Sequence, residues 1–294
     1  MRYSEYRPHP ALFPFVECLW FASDDLETGT RPPERVLPDG CIEWIFHLGV
    51  PFRRWTADGR VETQPVSFVA GEMTRPLVLA PAGRVATMGV RFRPGGAYRF
   101  LPVPLETLTD TSKPTADLWG RDGRDVQDVV LETRGTDQRQ RVVNGFLLAR
   151  LLREPRVRPR LDEAVRLLLR SRGRTTVGEM SRRVGWSPRQ LEREFRLGVG
   201  LTPKALARTL RFQNALRLAG RGPTRSWAAI AAECGYADQA HLILEFRALS
   251  GKTPTEPVDN GELTRNFVTP ARLDELLRPT GDVAFLQDAA RGGL

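Results

Sequence analysis

The feature that most constrains the fold is a repeat in the C-terminal half of the chain. The stretches GWSPRQLEREFRLGVGLTP and GYADQAHLILEFRALSGKTP begin at Gly185 and Gly235. The second copy has one extra residue after its glycine and aromatic residue, so the offset is 50 before that point and 51 after it. Apolar, turn and capping positions stay in register through both copies, as expected of a duplicated structural unit.

Each copy has the pattern of a helix, a glycine turn and a second helix. An apolar stripe predicts a short first helix, which Gly185 or Gly235 ends in the left-handed conformation. Ser187 and Asp238 are predicted to cap the second helices, and Gln190 to complete a Ser-x-x-Gln capping box. The predicted buried pairs of these second helices are Leu191 with Phe195 and Leu242 with Phe246. The chain therefore contains two predicted helix-turn-helix units.

The positive charge of the chain is concentrated on the repeated region. Residues 153–256 contain 21 Lys and Arg against 10 Asp and Glu, a balance of +11, whereas the rest of the 294 residues has 23 against 25. This favours a polyanion, double-stranded DNA, as partner. A long helix predicted over 203–219 would span roughly 25 Å between the two units. Two helices entering successive major grooves lie roughly 34 Å apart, so bending of the DNA would supply the remainder.

Residues 161–254 resemble the paired helix-turn-helix signature of the AraC/XylS family of bacterial transcription regulators. The segments VLPDGCIEWIFHLG, GEMTRPL and GVRFRPGGAYRFLPVPLETLTD, within the first 150 residues, resemble the N-terminal module of an uncharacterised regulator subgroup of that family. The resemblance implies a sequence-specific regulator, an activator, that needs no cofactor. RNA polymerase, a small-molecule effector and a second copy of the chain are further candidate partners.

The exposed positions of the two second helices are the candidate DNA-binding residues. They are Arg189, Gln190, Glu192, Arg193 and Arg196 in the first copy, and Gln239, Ala240 and His241 in the second. Arg193 is expected to read guanine, with a phosphate contact or a carboxylate partner as the alternatives. Arg189 faces a base or the DNA backbone, and Glu192 either accepts from cytosine or pairs with Arg196. Leu244 stands where the first copy has Arg193, which indicates weaker base reading by the second copy.

The whole chain is predicted to have an α+β fold with two domains. A β-rich N-terminal module with appended helices precedes an all-α double helix-turn-helix domain. The predicted strands cover 41–48, 67–70, 77–79 and 85–92. The predicted regions are a sensory or dimerisation domain at 1–153 (β-rich over 1–103, helical over 111–153), a linker at 154–160, the DNA-binding domain at 161–256, and a tail at 257–294 with a short helix over 271–277.

An alternative function is thiol, metal or other enzymatic chemistry in the N-terminal domain, tethered to a DNA-binding domain. Cys41, Glu43 and His47 would share one strand face, but no metal or nucleophile motif accompanies them, so we predict no enzyme and no metal site. The candidates for a ligand pocket are Trp44, His47, Arg91 and Arg93, with strand residues that are packed or solvated without a ligand as the alternative; the ligand itself is not indicated. The alternative to a sensor is a module that only dimerises.

Composition sets the expected compartment. Three widely spaced cysteines cannot make a disulfide framework, which favours a reducing cytoplasm. The sequence shows no apolar run of membrane-spanning length and no evident signal peptide, so no membrane association is expected. The operator, the regulated genes and the identity of an effector are not indicated by the sequence.

Overall fold

The computed structural model describes residues 1–24, 32–56, 58–153, 156–220 and 225–256. Within these ranges the chain is α+β as predicted, with strands concentrated near the N-terminus and helices following them. The short helix predicted over 271–277 lies outside the described residues. None of the helices in the described ranges combines the length and the apolar character that crossing a bilayer requires.

Ten antiparallel strands form two sheets in the described part of the N-terminal region. They are β1 (Arg2–Tyr6), β2 (Val16–Ser23), β3 (Glu34–Val36), β4 (Glu43–His47), β5 (Arg53–Trp55), β6 (Val61–Thr63), β7 (Ser67–Ala70), β8 (Leu77–Ala80), β9 (Ala86–Phe92) and β10 (Ser112–Pro114). The larger sheet has the order β1-β2-β9-β4-β7-β10, and the smaller one β3-β8-β5-β6. At Gly89 in β9 an added Cβ would lie 2.3 Å from the Trp20 ring, so the residue must be glycine for the indole to lie across this strand.

Three of the predicted strands correspond to β7, β8 and β9, but the fourth begins later than predicted. The Asp39 carboxylate accepts a hydrogen bond from the Cys41 backbone N at 3.0 Å, which keeps Cys41 in the preceding turn, and β4 begins at Glu43. Strand β10 occupies the start of the region predicted helical from 111. Because Pro114 disfavours helical backbone at Lys113, this segment pairs with the edge of β7 instead.

Eight α-helices follow within the described ranges. They are α1 (Thr115–Glu132), α2 (Thr136–Arg153), α3 (Pro159–Arg170), α4 (Val177–Val184), α5 (Pro188–Gly198), α6 (Pro203–Ala219), α7 (Trp227–Cys234) and α8 (Gln239–Ser250). Helix α6 has the bounds predicted for the connector. Helix α3 begins inside the stretch predicted as a linker, because a proline at the first helical position already has the required φ and lacks only an N–H that would be unpaired there.

Helices α1 and α2 cover one face of the larger sheet around Trp44. The Trp44 ring centroid lies 4.8 Å from that of Trp119 and 5.2 Å from that of Phe146. The Trp44 Nε1 donates to Thr115 Oγ1 at 2.9 Å. Trp44 is therefore a packed core residue that fixes the helical pair, which is the alternative considered for the pocket candidates.

The hydrophobic core is continuous between the sheets and the helices that follow. One cluster of buried side chains includes Val90 and Leu105 from the N-terminal region together with Leu161 and Phe195 from α3 and α5. A second cluster fills the interior between α6, α7 and α8, and Leu37 from the N-terminal region belongs to it. The two predicted regions thus share buried apolar surface, which couples their stabilities.

Hydrogen bonds and an ion pair add specific links between the two regions. Thr109 Oγ1 donates to the Gly200 carbonyl at 2.6 Å, just after α5. The Gln213 side chain on α6 donates to the Pro38 carbonyl, also at 2.6 Å. An ion pair of 2.7 Å joins Arg99 to Asp162 on α3. Loops of the N-terminal region therefore hold both the end of α5 and the middle of α6.

Candidate DNA-binding surface

Local capping fixes the first helix-turn-helix unit. Gly185 ends α4 with φ 69°, as predicted, and the Ser187 hydroxyl accepts from the Gln190 backbone N at 3.2 Å. The predicted reciprocal bond from Gln190 is not made; a full capping box instead starts α4, where Glu179 accepts from the Thr176 N at 2.7 Å. Gln190 therefore caps nothing, and its side chain lies exposed on the outer face.

The second unit repeats this geometry. Gly235 ends α7 with φ 77°, and the Asp238 carboxylate accepts from the His241 backbone N at 2.7 Å to start α8. Leu242 and Phe246 are buried as predicted. The Phe246 ring packs edge-on against Phe212 of α6 at 5.1 Å between centroids, so the connector is part of this unit's core.

The outer face of α5 carries every candidate residue predicted for the first copy. Arg189, Gln190, Glu192, Arg193 and Arg196 are all exposed. Arg196 and Glu192 pair at 2.7 Å across one helical turn, which is the alternative considered for Glu192. Arg193 pairs with its neighbour Glu194 at 3.0 Å but keeps a side chain 67% exposed. Among the described residues Arg189 has no ion-pair partner.

The outer face of α8 is different in chemistry. Gln239 and Ala240 are exposed, and the Leu244 side chain is 70% exposed. His241 is half-buried: its Nδ1 accepts from the Ala237 backbone N at 3.3 Å, and its Nε2 lies 3.3 Å from Glu245. These two contacts satisfy both ring nitrogens in the neutral form. His241 therefore orders the start of α8 through contacts within the protein, without DNA.

Two further arginines lie on the outside of α4 and were not among the predicted site residues. Arg182 and Arg183 are exposed, and Arg183 lies 3.5 Å from Glu163. The first helix of a helix-turn-helix crosses the DNA backbone, where cations contact phosphates. Two adjacent arginines on the outer face of the first predicted helix were the sequence signal for them.

A cavity of about 70 Å³ lies between the two sheets. Its walls are mainly apolar and aromatic, and they include Trp20, Ile45, Phe52, Phe68, Leu77 and Leu79. Polar groups line it as well, among them Asp39, Cys41, Glu43, His47, Gln64 and Thr87. A space of this size admits several water molecules or a small organic ligand.

A buried ionic cluster adjoins this cavity. Arg91 is fully buried and lies 2.5 Å from Glu43 and 3.9 Å from Asp39. Burial raises the pKa of Asp39 to about 7 and raises the pKa of Glu43, although Arg91 opposes both shifts. Burial lowers the pKa of His47 to about 4. Of the predicted pocket residues, His47 lines the cavity, Arg91 lies in the ionic cluster, and Arg93 donates to the Phe13 carbonyl instead.

The structure brings Cys41, Glu43 and His47 to one cavity. In the described residues no group of three or more His, Cys, Asp or Glu side chains could hold a metal ion. Burial raises the pKa of the Cys41 thiol well above its ordinary value, so the group is a neutral thiol and not a nucleophilic thiolate.

Comparison with known proteins matches both regions. Residues 4–114 match a domain of unknown function (DUF6597), and residues 180–258 match a helix-turn-helix domain. Among curated proteins none matches the sequence. ToxT of Vibrio cholerae in its P21 crystal form is 10% identical over 81% of this chain and 97% of ToxT, with a TM-score of 0.44. ToxT with a bound unsaturated fatty acid is 13% identical to this chain. The match covers 82% of this chain and 94% of that ToxT chain, with a TM-score of 0.43.

Proposed function

We propose that this chain is a DNA-binding transcription regulator, and that its helix-turn-helix domain reads two adjacent major-groove segments with α5 as the principal reader. The observation that carries the proposal is the outer face of α5. There, five polar side chains stand exposed on a helix whose start is capped and whose inner face is buried. A fixed helix with exposed guanidinium groups can place bidentate donors on guanine.

The proposed roles divide by position. Arg193 and Arg189 read base edges, and Glu192 orients Arg196, which contacts phosphate together with Arg182. In the second unit Gln239 and Ala240 lie at the start of α8, where the first helical turn faces the bases. Each phosphate that a cation neutralises adds nearly one unit to the slope of log affinity against log salt concentration, so binding is expected to weaken steeply with salt.

Replacement of Arg193 in the full chain tests the α5 assignment. We expect Arg193→Ala to weaken operator binding by roughly 1 to 3 kcal/mol and to relax the preference at one base pair. Arg193→Lys separates the two roles, because lysine can replace a phosphate contact but not a bidentate guanine contact. The measurement is selection from a random duplex library, followed by titration of the selected site.

The matched control is Arg121→Ala, which removes an 87% exposed arginine from α1. It should leave affinity and base preference unchanged. Unchanged preference in Arg193→Ala would show that this residue does not read a base. If the full chain enriches no sequence at all, sequence-specific reading itself is refuted.

We also propose that the cavity between the sheets binds a small effector and that residues 36–41 transmit its presence to α6. The cavity side of this segment consists of Val36, Asp39 and Cys41. On the other side, Leu37 enters the core of the second unit, and the Pro38 carbonyl accepts from Gln213 of α6. A ligand that moved this segment would therefore change the packing under α8 and the position of α6, which is the condition for coupling between sites.

Thermal unfolding with two small probes tests the effector site. Benzyl alcohol and benzylamine share one ring and differ in charge, so their comparison reports whether Asp39 and Glu43 favour a cation. We expect benzylamine to raise the unfolding temperature more. The variant Ile45→Phe, which fills the cavity, should abolish the shift, and Val61→Phe on exposed β6 should keep it. No shift with either probe counts against the site.

The proposal extends to activation of transcription in the cytoplasm, with RNA polymerase and a second copy of the chain as partners. The support is the family resemblance and, for the compartment, three buried free cysteines. A reporter gene carrying the selected site, compared with and without the protein, distinguishes activation from repression. The mass of the protein in solution as a function of concentration tests pairing.

A further inference from the structure

The outer face of α8 differs from that of α5 in a systematic way. At the offset of 51, the pairs of equivalent residues are Arg189 with Ala240, Glu192 with Ile243, and Arg193 with Leu244. Three charged positions on one recognition helix are thus apolar on the other. The core positions of the two helices keep their apolar character, since Leu191 and Phe195 correspond to Leu242 and Phe246.

The apolar side chains form a stripe that points away from the core. Ala240, Leu244 and Ala248 follow one another at intervals of four residues, so they share one side of the helix. All three are exposed, and Leu244 is 70% exposed. One exposed leucine on a surface is ordinary. This leucine, however, occupies the position at which α5 presents its exposed Arg193.

The charges around the stripe suit contact with a polyanion. Glu245 is the single carboxylate within α8, and it lies 3.2 Å from Arg211 and 3.3 Å from His241. Its side chain is 15% exposed, so its charge is turned inward and compensated. Arg247, on the same helix, is exposed. The outer face of α8 is therefore apolar with a cation beside it, and the exposed carboxylate next to it, Asp238, is engaged as the cap of the helix.

We propose that α8 reads thymine, with Leu244 and Ala240 packing against C5-methyl groups in the major groove. The thymine methyl is the apolar feature that distinguishes A·T pairs on that side of the duplex, and small apolar side chains contact it. This inference rests on the proposed function, because it requires α8 to lie in a groove. It predicts an asymmetric operator, with guanine in the segment read by α5 and thymine in the segment read by α8.

A protein partner would be the other occupant of an apolar helix face, and the size of the stripe disfavours it. Stable protein interfaces bury about 800 Å² on each side. Three small or medium side chains on one helix offer much less, and the flanking positions Gln239 and Arg247 are polar. The stripe matches the footprint of a few base pairs.

Replacement of thymine by uracil in the selected operator tests the proposal. Uracil lacks only the C5-methyl group and keeps the hydrogen-bonding groups of thymine. For the full-length protein we expect each contacted thymine that is replaced to weaken binding roughly threefold to tenfold, as for loss of a buried methyl group. Leu244→Ala should lose a similar factor on thymine DNA and should then be nearly insensitive to uracil at the thymine that Leu244 contacts. Leu244→Arg should move the preference at this position from thymine to guanine.

The remaining variants make failure of the two proposals distinguishable. Arg193→Ala should relax guanine preference in the first segment and keep the sensitivity to uracil in the second. Val61→Ala, a change at an exposed residue of β6, should alter neither. One contrary outcome is that Arg193→Ala behaves as expected while uracil has no effect, and another is that Leu244→Ala stays fully sensitive to uracil. Either outcome shows that α8 does not read methyl groups, and the regulator proposal then still stands. If Arg193→Ala does not alter the guanine preference and Leu244→Ala does not alter the sensitivity to uracil, both proposals fail.

Discussion

At the scale of single residues, burial decides chemistry more than residue type does. From the sequence alone, the residues Cys41, Glu43 and His47 suggest a reactive group. In the folded chain the Cys41 thiol stays neutral, Glu43 is held by Arg91, and His47 is bonded to Gln64 at 3.2 Å. On α8, likewise, the exposed face does not offer a free imidazole, because both ring nitrogens of His241 already have partners within the protein.

His47 gives the protein a defined pH dependence of stability. Its pKa is 6.5 ordinarily and about 4 in the fold, so between these values the unfolded chain binds more protons. The free energy of unfolding should therefore fall as the pH falls through this window, by roughly 3 kcal/mol at most. The measurement is urea unfolding across the window for the protein and for His47→Gln.

The His47→Gln variant should lack this part of the slope. The contribution of Asp39, whose pKa is raised, has the opposite sign, but it is common to both proteins and cancels in their difference. Val61→Ala, a change at an exposed residue without a titratable group, should keep the slope of the parent protein. Equal slopes for the parent and His47→Gln would show that the buried imidazole does not titrate as described.

At the scale of secondary-structure elements, glycine has one role at the end of a helix and another in its interior. Gly185 ends α4 in the left-handed region with no atom within 4 Å of an added Cβ. Gly145 lies exposed inside α2, also with nothing near an added Cβ. Any effect of alanine at either position therefore comes from the backbone and not from crowding.

The two glycines should respond to alanine in opposite directions. Gly185→Ala should cost about 1 to 2 kcal/mol, because alanine is strained at positive φ. Gly145→Ala should stabilise by roughly 0.5 to 1 kcal/mol, because alanine favours a helix interior. Chemical denaturation of the full chain measures both. Stabilisation by Gly185→Ala would mean that α4 does not end in the left-handed conformation.

At the scale of the whole molecule, the core joins the sheets to the DNA-binding helices. Leu37, 2% exposed, lies far from α7 and α8 in sequence but packs in their cluster. Leu37→Ala should destabilise the protein by roughly 2 to 5 kcal/mol. It should also speed amide hydrogen exchange in α7 and α8, whereas Leu152→Ala, at an 80% exposed residue, should change neither. Normal exchange in α8 of Leu37→Ala would contradict the shared core.

The sequence by itself determined the helical half of this protein. Gly185, Gly235, Ser187 and Asp238 act within a few residues of themselves, so their spacing in the chain specified the turns and caps. The same local periodicity gave the bounds of α6 and the exposure of the α5 side chains. Strands β7, β8 and β9 were visible for the same reason, since each is a short apolar run between turn residues.

Only the tertiary structure decided what depends on distant partners. Strand β10 exists because β7 offers it an edge, and Trp44 is a core residue because α1 and α2 cover it. The cavity between the sheets and the placement of Leu37 in the second helical cluster arise from packing between segments far apart in the chain. Local sequence patterns do not predict such contacts, because burial against a distant surface is a property of the assembled fold.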